Sequence, residues 1–217
     1  MALKKFAFKV LNKDHHARRG IIQTHRGNIN TPAFMPVGTQ ATVKACTIDD
    51  VKKAGSEIIL SNTYHLMIRP GVDRIKNAGG LHNFMNCDLP ILTDSGGFQV
   101  MSLAKNVNVD KEGVTFRSHL DGTLVRLNAE KSIEVQKYLG STITMTFDEC
   151  IPYPATHNYT KNSIARTHRW LKRCVDTWKN KDQALFGIIQ GGLDKDEDFV
   201  TAMKRELVEE TSIKNIK

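Results

Sequence analysis

The densest chemistry in this chain lies in Leu92-Thr93-Asp94-Ser95-Gly96-Gly97-Phe98-Gln99. A carboxylate, a hydroxyl, two glycines and an aromatic ring follow a short apolar run, Leu89-Pro90-Ile91-Leu92, that reads as a buried strand. Glycines let a ligand approach the backbone, and a carboxylate can exchange protons. Two later segments repeat the pattern of an apolar run closed by polar groups. Phe147-Asp148-Glu149-Cys150 ends a strand over 142–147, and Gln190-Gly191-Gly192 follows a strand over 185–189. Catalytic groups of parallel α/β proteins gather at such strand ends.

If these ends line one pocket, their donors and acceptors suit a purine. An ionised carboxylate only accepts hydrogen bonds, whereas a glutamine amide offers two donors and an acceptor. Guanine presents N1–H and N2–H beside O6, so Asp148 can take both donors while Gln190, or the Gly191 N–H, meets O6. Phe98 can stack on the ring, worth about 1–3 kcal/mol, which leaves Asp94 for proton transfer. Adenine would leave a buried polar group unmatched, at about 1–3 kcal/mol. Each residue also has an ordinary explanation. Aspartates at strand ends cap helices or form turns, paired glycines serve tight turns, Phe98 fits a core and Gln190 a surface. What favours function is the recurrence of all three ends. Asp94-Ser95-Gly96-Gly97 is also similar to the nucleophile segment of trypsin-like serine proteases. That alternative predicts a secreted all-β domain with a His and an Asp upstream in catalytic settings.

The elements expected around these groups alternate strand and helix. Residues 6–10 alternate like a strand, and 17–30 read as a hairpin turning at Arg26-Gly27-Asn28. Residues 33–39 look like a short buried strand. Thr47 caps a helix with an acidic first turn, closed by Gly55. A strand over 57–61 leads into Asn62-Thr63-Tyr64-His65, and a helix covers 71–78. Residues 107–109, 114–117 and 123–127 form an antiparallel excursion. Asn128 caps a helix through Leu139 that Gly140 stops. A long amphipathic helix over 158–179 offers Ile164, Trp170, Leu171, Val175 and Trp178 as core contacts, and a last helix covers 196–210. This is a parallel α/β pattern over one domain, 1–217, compatible with a doubly wound sheet or a barrel. About five βα units are too few to close an eight-stranded barrel, and no dinucleotide-binding glycine fingerprint is present.

The 217 residues are 40% hydrophobic and 25% charged, a globular composition. Lys and Arg outnumber acids 31 to 23, and the net charge of +8 favours a polyanion, nucleic acid first. No run is long enough to span a membrane, and the N-terminus has no secretory-type hydrophobic segment, so the expected compartment is the cytoplasm. The four cysteines read as reduced and mostly buried thiols, and the eight histidines are scattered, with His15-His16 in a polar turn. No metal is assigned to this chain.

Several long motifs resemble the bacterial tRNA-guanine transglycosylases, the queuine tRNA-ribosyltransferase family. They are Thr31-Pro32-Ala33-Phe34-Met35-Pro36-Val37-Gly38-Thr39, Leu60-Ser61-Asn62-Thr63-Tyr64-His65-Leu66, the segment 94–102, Gly113-Val114-Thr115-Phe116-Arg117-Ser118-His119-Leu120-Asp121-Gly122, Phe147-Asp148-Glu149-Cys150 and Gly187-Ile188-Ile189-Gln190-Gly191-Gly192. The resemblance implies a (β/α)8 TIM barrel, of which this chain is a partial form with an N-terminal hairpin and an antiparallel insertion. It implies exchange of the wobble guanine of tRNA for a deazaguanine base through a covalent RNA intermediate. By the same resemblance Asp94 handles protons, Ser95, Gly96, Gly97 and Phe98 hold the base, and Asp148 and Gln190 read the guanine edge. The family's attacking aspartate and its zinc site fall beyond Lys217, so the chain is expected to be an N-terminal portion that carries no cofactor. The expected partners are tRNA, guanine or a deazaguanine, and a homodimer mate or a C-terminal complement. A non-catalytic tRNA- or base-binding fragment is the second expectation.

Overall fold

The computed structural model describes residues 6–180 and 182–191; Gly192 and the helix expected over 196–210 lie outside them. The chain opens with an antiparallel sheet of β1 (Ala7–Asp14), β2 (Ala17–Thr24) and β3 (Gly27–Thr31), in that order. The β2–β3 turn is His25-Arg26, one residue earlier than expected. Thr24 already pairs with Gly27, and its hydroxyl donates to the Gly27 carbonyl at 2.8 Å.

Residues 33–39 do not form the expected buried strand. Val37 makes one parallel bridge to Leu60, and the Gly38 N–H reaches the Leu60 carbonyl at 2.6 Å. Phe34 and Val37 stay 82% and 48% exposed. Pro32 and Pro36 have no N–H to give a ladder, which holds the contact to a single rung.

Helix α1 (Ile48–Lys53) has a full capping box between Thr47 and Asp50. Strand β4 (Ile59–Ser61) leads into α2 (Thr63–Leu66), a π-helical turn Met67–Gly71, α3 (Val72–Asn77) and α4 (Leu81–Met85). Arg69 interrupts the helical path with extended φ/ψ, as a residue before proline must. Next come β5 (Ile91–Thr93) and α5 (Gly97–Leu103). A second antiparallel sheet follows, of β6 (Lys105–Val109), β7 (Gly113–Arg117) and β8 (Leu124–Asn128). Helix α6 (Ala129–Leu139) begins where the Asn128 side chain accepts the Lys131 N–H and ends at Gly140 in left-handed conformation. Strand β9 (Ile143–Met145), helix α7 (His157–Thr177) and strand β10 (Ala184–Phe186) complete the described elements.

The central sheet has four parallel strands in the order β10-β9-β5-β4, and the Val37 bridge lies beyond β4. Each strand neighbours the next in sequence, so the described strands contain no reversal of order. A doubly wound sheet requires such a reversal; a barrel does not.

Ile59 and Ile91 pack with Leu66, Ile75 and Leu81, and with Val135 and Leu139 of α6, in one apolar cluster. Tyr64, Val100, Phe116, Phe147, Trp170 and Cys174 belong to a second. In it Phe147 and Trp170 stack with centroids 5.0 Å apart, worth roughly 0.5–1.5 kcal/mol beyond their burial. The inner face of α7 differs from expectation. Thr160, Ser163, Thr167, Trp170 and Cys174 are buried, whereas Val175 is half exposed. Two of these polar groups accept backbone N–H groups from the segment after β9: Thr167 Oγ1 from Glu149 at 3.1 Å, and Cys174 Sγ from Phe147 at 3.3 Å. Of the four free cysteines, Cys87 and Cys174 are buried, Cys150 is intermediate and Cys46 exposed, so burial is less general than expected.

A buried polar layer crosses the sheet. Thr93 Oγ1 donates to Gln136 Oε1 at 2.9 Å and lies 2.8 Å from Ser141 Oγ, while Gln183 Nε2 donates to the Ser141 carbonyl at 2.8 Å.

Candidate active site

Asp94 follows β5 directly, and its N–H stays on the Ser61 carbonyl of β4 at 3.1 Å. Its carboxylate turns toward the chain leaving β4. Oδ1 accepts the Thr63 N–H at 2.8 Å; Oδ2 accepts Asn62 Nδ2 at 2.5 Å and Gln99 Nε2 at 2.9 Å. The Thr63 hydroxyl donates to the Asp94 carbonyl at 2.6 Å. Asp94 thus caps a helix, though not its own: Thr63 is the first residue of α2. Burial pushes the Asp94 carboxyl above its ordinary range, against the pull of these donors. Beside it, the Gln99 Oε1 acceptor and the Ser61 hydroxyl are buried with no partner among the described residues.

Asp148 lies three residues past β9 and is buried. The Ser95 hydroxyl donates to its Oδ1 at 2.5 Å, and Gln190 Nε2 to its Oδ2 at 2.5 Å. Burial again raises the carboxyl, with both hydrogen bonds opposing. Gly97 is required by close approach. A Cβ there would lie 2.5 Å from the Asp148 carbonyl oxygen and 3.0 Å from Oδ1. Gly96 is required by conformation, at φ +87°.

The sequence-derived residues therefore fall into two linked groups. Ser95, Gly97, Asp148 and Gln190 form one by direct contact. Asp94 belongs to a second, joined to the first through its peptide bond to Ser95. Phe98 sits in the first turn of α5 with 63% exposure, so it is no core residue. Gly191 is exposed beside Gln190. Ser95 is buried, and its hydroxyl faces a carboxylate and the Gly97 N–H, with no imidazole among these partners. That is not the environment of a serine-protease nucleophile. Glu149 points elsewhere: it pairs with Arg166 and accepts the Tyr159 hydroxyl at 2.8 Å, anchoring α7. Among the described residues no group of three or more His, Cys, Asp or Glu is placed to hold a metal, and no helix is long and apolar enough to cross a membrane.

Sequence reasoning passed over Asn62, Thr63 and Gln99, the donors that hold Asp94. Asn62-Thr63 stands at a strand end as Asp94 does, and that position was the available signal. Nothing local marked Ser132, whose hydroxyl donates to the Ser95 carbonyl at 2.9 Å.

A parallel α/β sheet with paired carboxylate segments at its strand ends defines the general class. The family model described as "Queuine tRNA-ribosyltransferase" matches residues 13–211. The queuine tRNA-ribosyltransferase of Thermodesulfovibrio yellowstonii is 58% identical over 191 residues, which are 87% of this chain and 50% of the relative. Those of Acetivibrio thermocellus and Herpetosiphon aurantiacus are 57% and 53% identical, over 85% and 89% of this chain and 50% of each relative. The chain belongs to the queuine tRNA-ribosyltransferase family. It spans about half the length of these curated relatives.

Proposed function

We propose that this chain supplies the base-recognition half of a tRNA-guanine transglycosylase, a cytoplasmic pentosyltransferase that exchanges the wobble guanine of tRNA for a deazaguanine. The observation that carries this reading is the meeting of Ser95, Asp148 and Gln190 across strand ends far apart in sequence. Each Asp148 oxygen uses one lone pair on a protein donor and keeps another for guanine N1–H or N2–H. Gln190 keeps its second N–H, and the Gly191 N–H stands beside it; either suits O6. The exposed Phe98 ring is free to cover the base. In the exchange a nucleophile from the complementary half bonds to ribose C1′ as the C1′–N9 bond breaks. The electron pair of that bond goes to the purine, a proton neutralises the departing base, and the incoming deazaguanine then displaces the nucleophile through its own N9. Burial raises the Asp94 carboxyl, which moves it toward the range where it can give a proton to the departing base and take one from the incoming base. The +8 charge suits a tRNA partner. We place these residues in one portion of a (β/α)8 barrel, a homodimer in its full form, and assign no cofactor to them.

Neither aspartate is assigned as the group that attacks the ribose. Both are already held by protein donors, Asp94 by three and Asp148 by two. That neither carboxylate is free to attack favours the second reading, a fragment that binds tRNA or base without turnover. A labelled-guanine exchange assay on tRNA separates them, using the 217-residue chain alone and with the C-terminal half of a relative. We expect no exchange alone and exchange on complementation; rapid exchange by the pure chain would falsify this division of labour. Base binding that complementation never converts to exchange would favour the second reading.

A further inference from the structure

Strands β5 and β9 part where the site begins. Their pairing runs Leu92↔Ile143 and Thr93↔Thr144 and goes no further. On the outer sides contact continues: the Asp94 N–H stays on Ser61 of β4, and Met145 still partners Phe186 of β10. In the seam between them the side-chain amide of Gln136 takes the place of a strand residue. Its Oε1 accepts the Met145 N–H at 2.9 Å, and its Nε2 donates to the Met145 carbonyl at 2.9 Å. The same Oε1 accepts the hydroxyl of Thr93, the residue before Asp94. Gln136 is fully buried. Its Nε2 also lies 3.1 Å from Ser132 Oγ, and the Ser132 hydroxyl donates to the Ser95 carbonyl. One helix, α6, therefore grips the last residue of β5, the turn that carries Ser95, and the last residue of β9.

Met145 is only half buried, but its N–H and C=O face the fully buried Gln136 amide, where polar groups need partners. Without the Gln136 amide, the direct way to satisfy Met145 is one more rung of pairing with β5. That rung draws Asp148, three residues further on, toward Asp94 and Ser95. We propose that Gln136, propped by Ser132, is a positioning residue: a side-chain wedge that holds β5 and β9 apart at their C-terminal ends and so sets the spacing of Asp94, Ser95 and Asp148 for a flat base. This rests on the base-binding reading above. Gln136 touches no ligand and acts through Thr93 and Met145.

The test uses the full chain, radiolabelled guanine and equilibrium dialysis, at a temperature where circular dichroism shows wild type and variant both folded. Gln136→Leu keeps the side-chain size and removes the amide. We expect it to weaken guanine binding about tenfold or more and to shrink the preference for guanine over adenine, with a loss of about two- to fivefold in Ser132→Ala. A merely structural role would lower the melting temperature and leave that preference unmoved. A folded Gln136→Leu chain that binds guanine as wild type does would overturn the proposal. If Gln136→Leu does not fold, Ser132→Ala and the wild-type chain decide. A long-range HNCO correlation from the Met145 amide to the Gln136 side-chain carbonyl is expected, and a correlation to a backbone carbonyl of β5 instead overturns the proposal. Wild-type chain that shows the Gln136 correlation but binds no guanine overturns the base-binding reading, and the wedge's role with it, while leaving the geometry standing.

Discussion

The Ser95 hydroxyl donates to Asp148 Oδ1 across 2.5 Å, joining strand ends separated by 53 residues of sequence. With Gln190 on the other oxygen, the carboxylate is held from both sides and its plane is fixed. Ser95→Ala leaves a buried carboxylate short of a donor, which costs about 1–3 kcal/mol of stability and drives the Asp148 carboxyl further up. Urea denaturation and an NMR titration of the Asp148 carboxyl check both effects. Labelling of Ser95 by a serine-directed covalent reagent would contradict its assignment as a partner of Asp148.

Gly97→Ala should be more damaging than its size suggests. The added methyl meets the Asp148 carbonyl oxygen at 2.5 Å, and backbone cannot swing aside as a side chain can. We expect a loss of about 1–3 kcal/mol from overpacking, with guanine binding reduced beyond what the altered stability explains. Thermal melts paired with dialysis measure the two. A variant with wild-type values in both would show that the α5 entrance is looser than drawn.

Burial raises the Asp94 and Asp148 carboxyls. Between the unfolded and the folded values the native state holds more protons than the unfolded chain, so stability falls as pH rises. The contribution is whole below the ordinary Asp range and is lost once pH passes the raised values. Asp94→Asn and Asp148→Asn should each flatten that fall. His82 acts in the opposite sense. Burial first, then the Arg26 charge, lowers its imidazole to about 4, so stability is lost as pH falls from 6.5 toward that value. His82→Gln should remove that loss. Denaturation midpoints followed across the acid and neutral range separate the two signs, and identical profiles for all variants would refute both assignments.

Phe98 contributes little to the core at 63% exposure. Phe98→Ala should therefore leave the melting temperature within a degree or two, by about 0.5 kcal/mol. It should nevertheless weaken base binding by about 1–3 kcal/mol, with Phe98→Tyr retaining it. Loss of stability without loss of binding would return Phe98 to a structural role.

The parallel sheet reaches only a single rung at Val37, and Phe34, Val37 and Ile189 are exposed at 82%, 48% and 62%. Unpaired strand margins beside apolar side chains template further pairing. The isolated 217-residue chain should self-associate at micromolar concentration. Sedimentation velocity checks this, and a monomer with a sharp, reversible calorimetric melt would count against it.

The alternation of strands and helices was legible because caps and stops are local chemistry. Asn128 and Gly140 bound α6 as their side-chain and backbone preferences demand. The polar strand ends were legible for the same reason, each being an apolar run closed by polar residues, and Gln190 meets Asp148 there. The face of α7 was not. An apolar stripe is the usual guide, yet the buried side is Thr160, Ser163, Thr167 and Cys174, two of which accept N–H groups from the segment after β9. The donors to Asp94 were equally hidden. Asn62 and Thr63 lie over thirty residues away, and only the pairing of β4 with β5 brings them near. Gln136 resembles any polar residue of an amphipathic helix until its neighbours in space are known.

A one-step slip of a strand turns every side chain to the opposite face, and three-residue strands have few side chains with which to oppose it. The hydroxyls and amides of Thr93, Gln136, Ser141 and Gln183 remove that freedom. Sliding β9 by one residue would empty the Gln136 bonds to Met145 together and leave the fully buried Gln136 amide unmatched. The polar layer thus acts as a proofreading device for assembly, favouring one alignment over its near neighbours more sharply than an oily interior would.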